Sequence, residues 1–219
     1  MVSFHFGLPA PDLLGRVRSW GAKILGCATT VDEARWLEAH GADAIIAQGI
    51  EAGGHRGMFL TTDLSTQLPT NALVAQMVSV VRLPVIAAGG IGNAAEVREA
   101  MSFGAAGAQI GTAYLLCPEA TTRPVHRQAL QSEDGQHTAI TTLFSGRPAR
   151  GIVNRLMRDL GPINSVAPAF PLASAALAPL RTAAESKGHG DFSPLWAGQN
   201  VSGCKPISAA LLTRQLAGQ

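Results

Sequence analysis

Two stretches of the chain are written almost alike: VDEARWLEAHGADAIIAQG at residues 31–49 and AAEVREAMSFGAAGAQIGT at residues 94–112. Each runs from a helical pattern through a glycine and small residues into an apolar run, then into a glycine-bearing loop. A helix followed at once by a strand, repeated, buries both elements most simply as a parallel α/β fold, because each unit packs its helix back onto the same sheet. Five apolar runs read as strands: Val2–Phe6, Lys23–Cys27, Ala44–Gln48, Val85–Ala88 and Ala108–Gly111. They are apolar on both faces, as strands covered on both sides require. Thr30 with Glu33, and Asn93 with Glu96, read as helix caps, with stops at Gly41 and Gly104. Repetition of one unit is what a β/α barrel predicts, and a doubly wound sheet would use the same units.

Beyond Cys117 the rhythm changes. Helical patterns cover Pro118–Gln131, Arg150–Leu160, Pro171–Lys187 and Ile207–Ala217, no run reads clearly as a strand, and residues 188–205 read as a loop carrying Trp196. With 219 residues and 47% hydrophobic content, the chain can bury a sizeable core. Its net charge of +2 comes without a basic run, so no footprint for nucleic acid or an anionic membrane is present. The apolar stretch Ser165–Leu180 is broken by Pro168, Pro171 and Pro179 and is too short to cross a bilayer. Cys27, Cys117 and Cys204 have neither disulfide nor zinc spacing, which points to a reducing, cytoplasmic setting, and the N-terminus lacks the pattern of a signal peptide.

The sharpest motif is AQGIEAGGHRG, Ala47–Gly57, directly after a strand, with four glycines in nine residues. Loops after parallel strands form the working face of such folds, so His55 is a candidate acid or base and Arg56 a candidate attractor of an anionic substrate. A second motif, PVIAAGGIGNAAE, runs a strand through Gly89 and Gly90 into a helix capped at Asn93, an arrangement that aims backbone N–H groups at an anion. One unit later, Gly111 and Thr112 add a further donor loop, as in the phosphate sites of barrels. The GIGNAAE spacing does not meet the dinucleotide fingerprint. His5 and Phe6 could face a barrel mouth; His126, His137 and His189 read as solvated; no metal site is suggested. Trp20, Trp36 and Trp196 read as core anchors, Trp36 above all.

Taken together, AQGIEAGGHRG, LPVIAAGGIGNAAEV, GAQIGTAYLLCPE and FSGRPARGIVN resemble the nitronate monooxygenase family, and PLWAGQ at residues 194–199 is similar to the tail of its bacterial group. The resemblance covers nearly the whole chain. It implies an FMN-dependent β/α barrel with an inserted helical region, which oxidises alkyl nitronates with O2 to a carbonyl compound and nitrite. It implies that His55 is the catalytic histidine, that Gln48 and Gly53 contact FMN, and that Gly90, Gln109, Ile110, Gly111 and Thr112 hold its phosphate end. On this reading residues 1–117 are C-terminal units of the barrel, 118–195 a helical subdomain, and 196–219 a loop and helix returning to the barrel. Family members carry about three further βα units before the strand that starts at Met1. The expectation is therefore a partial barrel of about five parallel strands, a piece of a longer gene product or one completed by a partner, including a homo-oligomer. Three rivals stay open: a flavin- and NAD(P)H-dependent enoyl-acyl-carrier-protein reductase, a non-flavin barrel enzyme acting on a sugar phosphate, and a non-catalytic fragment.

Overall fold

The computed structural model describes residues 1–219. In chain order its elements begin β1 (Val2–Phe4), α1 (Pro11–Ser19), β2 (Ile24–Ala28), α2 (Val31–Ala39), β3 (Ala44–Gln48), the two-residue β4 (Gly54–His55), α3 (Thr70–Val78), β5 (Val85–Ala88), α4 (Ala94–Ser102) and β6 (Gly107–Gln109). They continue with α5 (Pro124–Gln131), β7 (Thr138–Thr141), β8 (Ala149–Ile152), α6 (Arg155–Leu160), α7 (Leu172–Glu185) and α8 (Ala209–Leu216). The chain divides into two compact units, Met1–Glu51 with Gly57–Ile110, and Ala52–Arg56 with Gly111–Gln219.

The first unit is an α/β layer built on a five-stranded parallel sheet of order β1-β2-β3-β5-β6. Each expected strand is present within two residues of its expected ends. Alternation of side chains separates the two faces. On β3, Ile45 and Ala47 join Leu37 of α2, Leu73 and Met77 of α3 and Ala100 of α4 in the main core, while Ile46 packs with Leu25 and Ala88 on the other face. Apolar residues on both faces explain why these strands lack a polar alternation.

Helix ends in this unit follow the sequence signals with one deviation. Asn93 Oδ1 accepts the N–H groups of Ala95 and Glu96, and the Glu96 carboxylate accepts that of Gly92. Thr30 caps α2 through the Glu33 N–H, yet the Glu33 carboxylate does not complete the reciprocal box. Instead, fully buried, it accepts Thr29 N–H and Oγ1–H on one oxygen and the N–H groups of Phe59 and Leu60 on the other. A residue that reads as a local cap therefore ties down the loop that follows Gly57. Such saturation is what a buried carboxylate needs.

The second unit corrects the reading of residues 118–217 as strandless. β4, β8 and β7 form a three-stranded antiparallel sheet in that order, with His55 opposite Ala149 and Thr141 opposite Ala149 on the other edge. A single bridge adds Trp196 to Gly151. Residues Arg150–Ile152, expected as the start of a helix, are strand; the helix begins only at Arg155, where Asn154 accepts the Met157 N–H. A short apolar run carries no period to separate the two states, and pairing partners decided it. Expected helices at Pro118, Pro171 and Ile207 begin later, at Pro124, Leu172 and Ala209. No helix is long and apolar enough to cross a membrane.

Candidate active site

In the second unit β4 puts His55 on a short edge strand, anchored by Gly54 opposite Arg150 and by the Arg56 N–H donating to the Pro148 carbonyl at 2.8 Å. Its ring sits in a frame contributed by three distant segments. Nε2 lies 2.8 Å from Ser145 Oγ, the Phe170 ring stands edge-on with centroids 5.9 Å apart, and the Trp196 ring is tilted at 5.5 Å. Phe144 in turn packs edge-on against Trp196. The Arg147 guanidinium carbon stands 5.7 Å from the Phe170 centroid, a cation–π distance. A half-exposed histidine walled by two aromatic rings, with a guanidinium beside them, can exchange a proton with a small apolar molecule that carries negative charge.

Two close approaches hold this frame. A Cβ on Gly151 would lie 2.9 Å from the Leu195 carbonyl oxygen and 3.0 Å from Trp196 Cε3. A Cβ on Gly53 would lie 2.5 Å from the Gly198 nitrogen and 2.6 Å from the Ala197 carbonyl carbon. Side chains at either position would push the LWAGQ segment, and Trp196 with it, away from its seat. Gly53 thus has a packing reason to be glycine whatever ligand it meets. Thr112 fastens the same segment, its Oγ1 accepting the Gly198 N–H at 2.9 Å.

Arg56, expected to attract an anionic substrate, is fully buried and cannot meet one arriving from solvent. Arg147, half-buried beside Phe170, is the cation so placed, and the signal for it lay within FSGRPARG. Ser145, Phe170 and Arg147 were not singled out from the sequence. Their proximity to His55 depends on pairing β4 with β8, which no local pattern announces.

The first unit carries Gln48, Gly90, Gln109 and Ile110. Gln48, at the end of β3, is 7% exposed and accepts the Gly57 N–H through Oε1 at 2.7 Å. Gly89 and Gly90, at φ +129° and +72°, turn the chain out of β5 in a conformation that side chains disfavour. At the start of α4 the amides of Gly92, Ala95 and Glu96 already donate to Asn93 and Glu96. A hollow of about 230 Å3 beside Gly90 is lined by Glu51, Glu96 and Glu99, carboxylates that repel a phosphate. After β6, Gln109 is exposed and Ile110 half-buried; Gly111, the first residue of the second unit's longer segment, is exposed, and a Cβ there would meet nothing within 4 Å.

The remaining candidates make other contacts. His5 packs its ring on Phe6 at 4.5 Å; His137 and His189 are exposed. His126, expected in solvent, has a buried Nε2 with no partner; burial holds its pKa below the usual histidine range, against a hydrogen bond to the Trp196 backbone. Trp36 stacks on His40 and meets Phe59 edge-on, but Trp20 is 68% exposed and anchors nothing.

The nitronate monooxygenase family model matches residues 1–218. The chain is 43% identical over 216 residues to a nitronate monooxygenase of Pseudomonas aeruginosa, covering 98% of this chain and 62% of that protein. It is 42% identical over 217 residues to one of Paraburkholderia phytofirmans, covering 99% and 59%. Among solved structures, nitroalkane oxidase from Streptomyces ansochromogenes superposes with a TM-score of 0.91 at 40% identity, over 99% of this chain and 62% of that one. FabK from Thermotoga maritima superposes at 0.77 and 26% identity, over 99% and 66%. The chain thus spans about three fifths of the length of the curated relatives it matches. Its five parallel strands and covering helices are of the TIM-barrel type found in these neighbours. Family match, identity and superposition agree over the whole of the chain, which belongs to the nitronate monooxygenase family.

Proposed function

We propose that this chain carries the proton-handling and cofactor-facing residues of an FMN-dependent enzyme that oxidises alkyl nitronates with O2 to a carbonyl compound and nitrite. The observation that carries this reading is His55, held at Nε2 by Ser145 between the rings of Phe170 and Trp196 with Arg147 alongside. In its neutral form the imidazole removes a proton from the carbon next to a nitro group; with an N–H it donates to a nitronate oxygen. Arg147 attracts the anion, and the aromatic walls keep water from the reacting carbon while accepting an alkyl chain.

The residues present suit a flavin. On the first unit we assign Gln48, Gly90, Gln109 and Ile110, and on the second Gly53, Gly111 and Thr112. The exposure of Gln109 and Gly111 and the open space at Gly111 support a phosphate end there, rather than in the acidic hollow beside Gly90. FMN, when bound, supplies the electron acceptance and the reaction with O2.

The test is to add FMN to the 219-residue protein, remove the excess by gel filtration and record the visible spectrum, then assay nitrite from a nitronate. We expect retained flavin, and a nitrite rate at least about 100-fold lower for His55→Ala. A colourless protein overturns the cofactor assignment. Flavin reduced quickly by NAD(P)H but not by a nitronate would favour a reductase instead.

A further inference from the structure

Ser145 is buried, and its hydroxyl oxygen has three neighbours and one proton. The Arg147 N–H donates to Oγ at 3.3 Å, Oγ is 3.2 Å from the Arg147 carbonyl oxygen, and His55 Nε2 is 2.8 Å away. The single Oγ proton has two destinations. Directed at the Arg147 carbonyl, it leaves an Oγ lone pair to accept from a protonated Nε2. Directed at His55, it donates to a bare Nε2. In both settings the Arg147 N–H bond stays in place, so the hydroxyl turns about its own bond without any heavy atom moving.

We propose that Ser145 is a positioning residue that satisfies His55 Nε2 in both of its protonation states, so that the imidazole gains and loses a proton while Nε2 and the buried hydroxyl both stay paired. This rests on the reading of His55 as the proton-handling group. A fixed donor would favour the bare nitrogen and a fixed acceptor the protonated one, each holding back one half of the proton cycle. A hydroxyl whose proton has a second acceptor, the Arg147 carbonyl, favours neither so strongly. The rings of Phe170 and Trp196 limit the solvent that could otherwise serve the same purpose. Next to His55 in the chain and on the strand and loop it pairs with, the charged side chains are Arg56, Arg147 and Arg150, guanidiniums that keep their charge throughout.

The experiment is a ring-15N titration of the histidines in the full 219-residue chain between pH 5 and 9, without cofactor, for wild type, Ser145→Ala and Ser145→Thr; His55→Gln identifies the signal. Hydrogen bonds to charged groups are the stronger ones, so losing the hydroxyl costs the imidazolium more than the neutral ring. The His55 pKa is expected to fall by about 0.5 to 1 pH unit in Ser145→Ala, with altered tautomer shifts, and to return within about 0.3 unit in Ser145→Thr. His126, whose Nε2 is buried, reports on the fold in the same spectra and is expected to stay unchanged. An unchanged His55 in Ser145→Ala overturns the proposal. If His126 moves as well, the threonine variant decides: a His55 restored with the hydroxyl supports it, and one displaced as far as in alanine overturns it. Because the titration needs neither flavin nor turnover, it stands apart from the function: a chain without nitrite release can still return either answer. Where turnover is measured, kcat is expected to fall in Ser145→Ala with KM little changed, since the hydroxyl acts through His55 and not on the substrate.

Discussion

The first unit is assembled from neighbours and the second from strangers. In the parallel sheet, β1, β2, β3 and β5 are each followed by a covering helix, and the contacts that hold Ile45, Leu37 and Leu73 repeat one short βα pattern. In the second unit, β4 is two residues long, and its partner strand, the hydroxyl on its histidine and the rings beside it come from residues 90 to 141 positions further on. The lesson is that periodic units build the scaffold, whereas the histidine proposed to handle the proton is framed by single long-range contacts, each of which can be removed alone.

Substitutions can test that contrast. The largest expected effect is at a distant tie of the first unit that rests on one buried carboxylate. Glu33→Ala leaves four donors of Thr29, Phe59 and Leu60 without their acceptor and is expected to cost about 3 to 5 kcal/mol in urea unfolding. A loss below about 1 kcal/mol would mean that the loop after Gly57 holds without the carboxylate. In the second unit Gly151→Ala forces a methyl against Leu195 and Trp196 and is expected to cost about 1 to 3 kcal/mol. Hydrogen exchange should find the loss localised: the Ile152 amide, which donates to the Leu195 carbonyl, exchanges faster, while the Ile45 amide of the first unit keeps its protection. Uniform acceleration in both would break the comparison.

Smaller still is a pH effect confined to the second unit. Burial lowers the folded-state pKa of His126 below its ordinary 6.5, so the unfolded chain binds the proton more readily. The contribution of neutral His126 is therefore complete above about pH 6.5 and is lost as pH falls from there toward the folded pKa. Urea midpoints at pH 7.5 and 5.5 should differ more in wild type than in His126→Phe; equal differences would remove His126 from the account. At the bottom of the scale, Trp20→Gln on the exposed end of α1 is expected to change stability by less than about 0.5 kcal/mol.

Much of this was legible. The strand from Ala44 to Gln48 and the cap at Asn93 could be read from local pattern, because alternation, capping oxygens and C-terminal glycines act within a few residues of themselves. His55 was legible as a candidate for the same reason, sitting in a glycine loop at a strand end. What misled was equally local in form. Glu33 reads as half of a capping box and instead serves a loop 26 residues on; Arg56 reads as a greeting cation and is buried; Arg150–Ile152 reads as a helix start and pairs as a strand.

The sequence by itself determined the parallel α/β scaffold, the family and the histidine at its loop, since those are carried by periodicity and by motifs complete within a dozen residues. Only the tertiary structure decided that Ser145, Phe170, Trp196 and Arg147 frame that histidine and that Arg56 does not. The free energy of those contacts depends on which distant surfaces meet, and no short stretch of chain encodes its own partner.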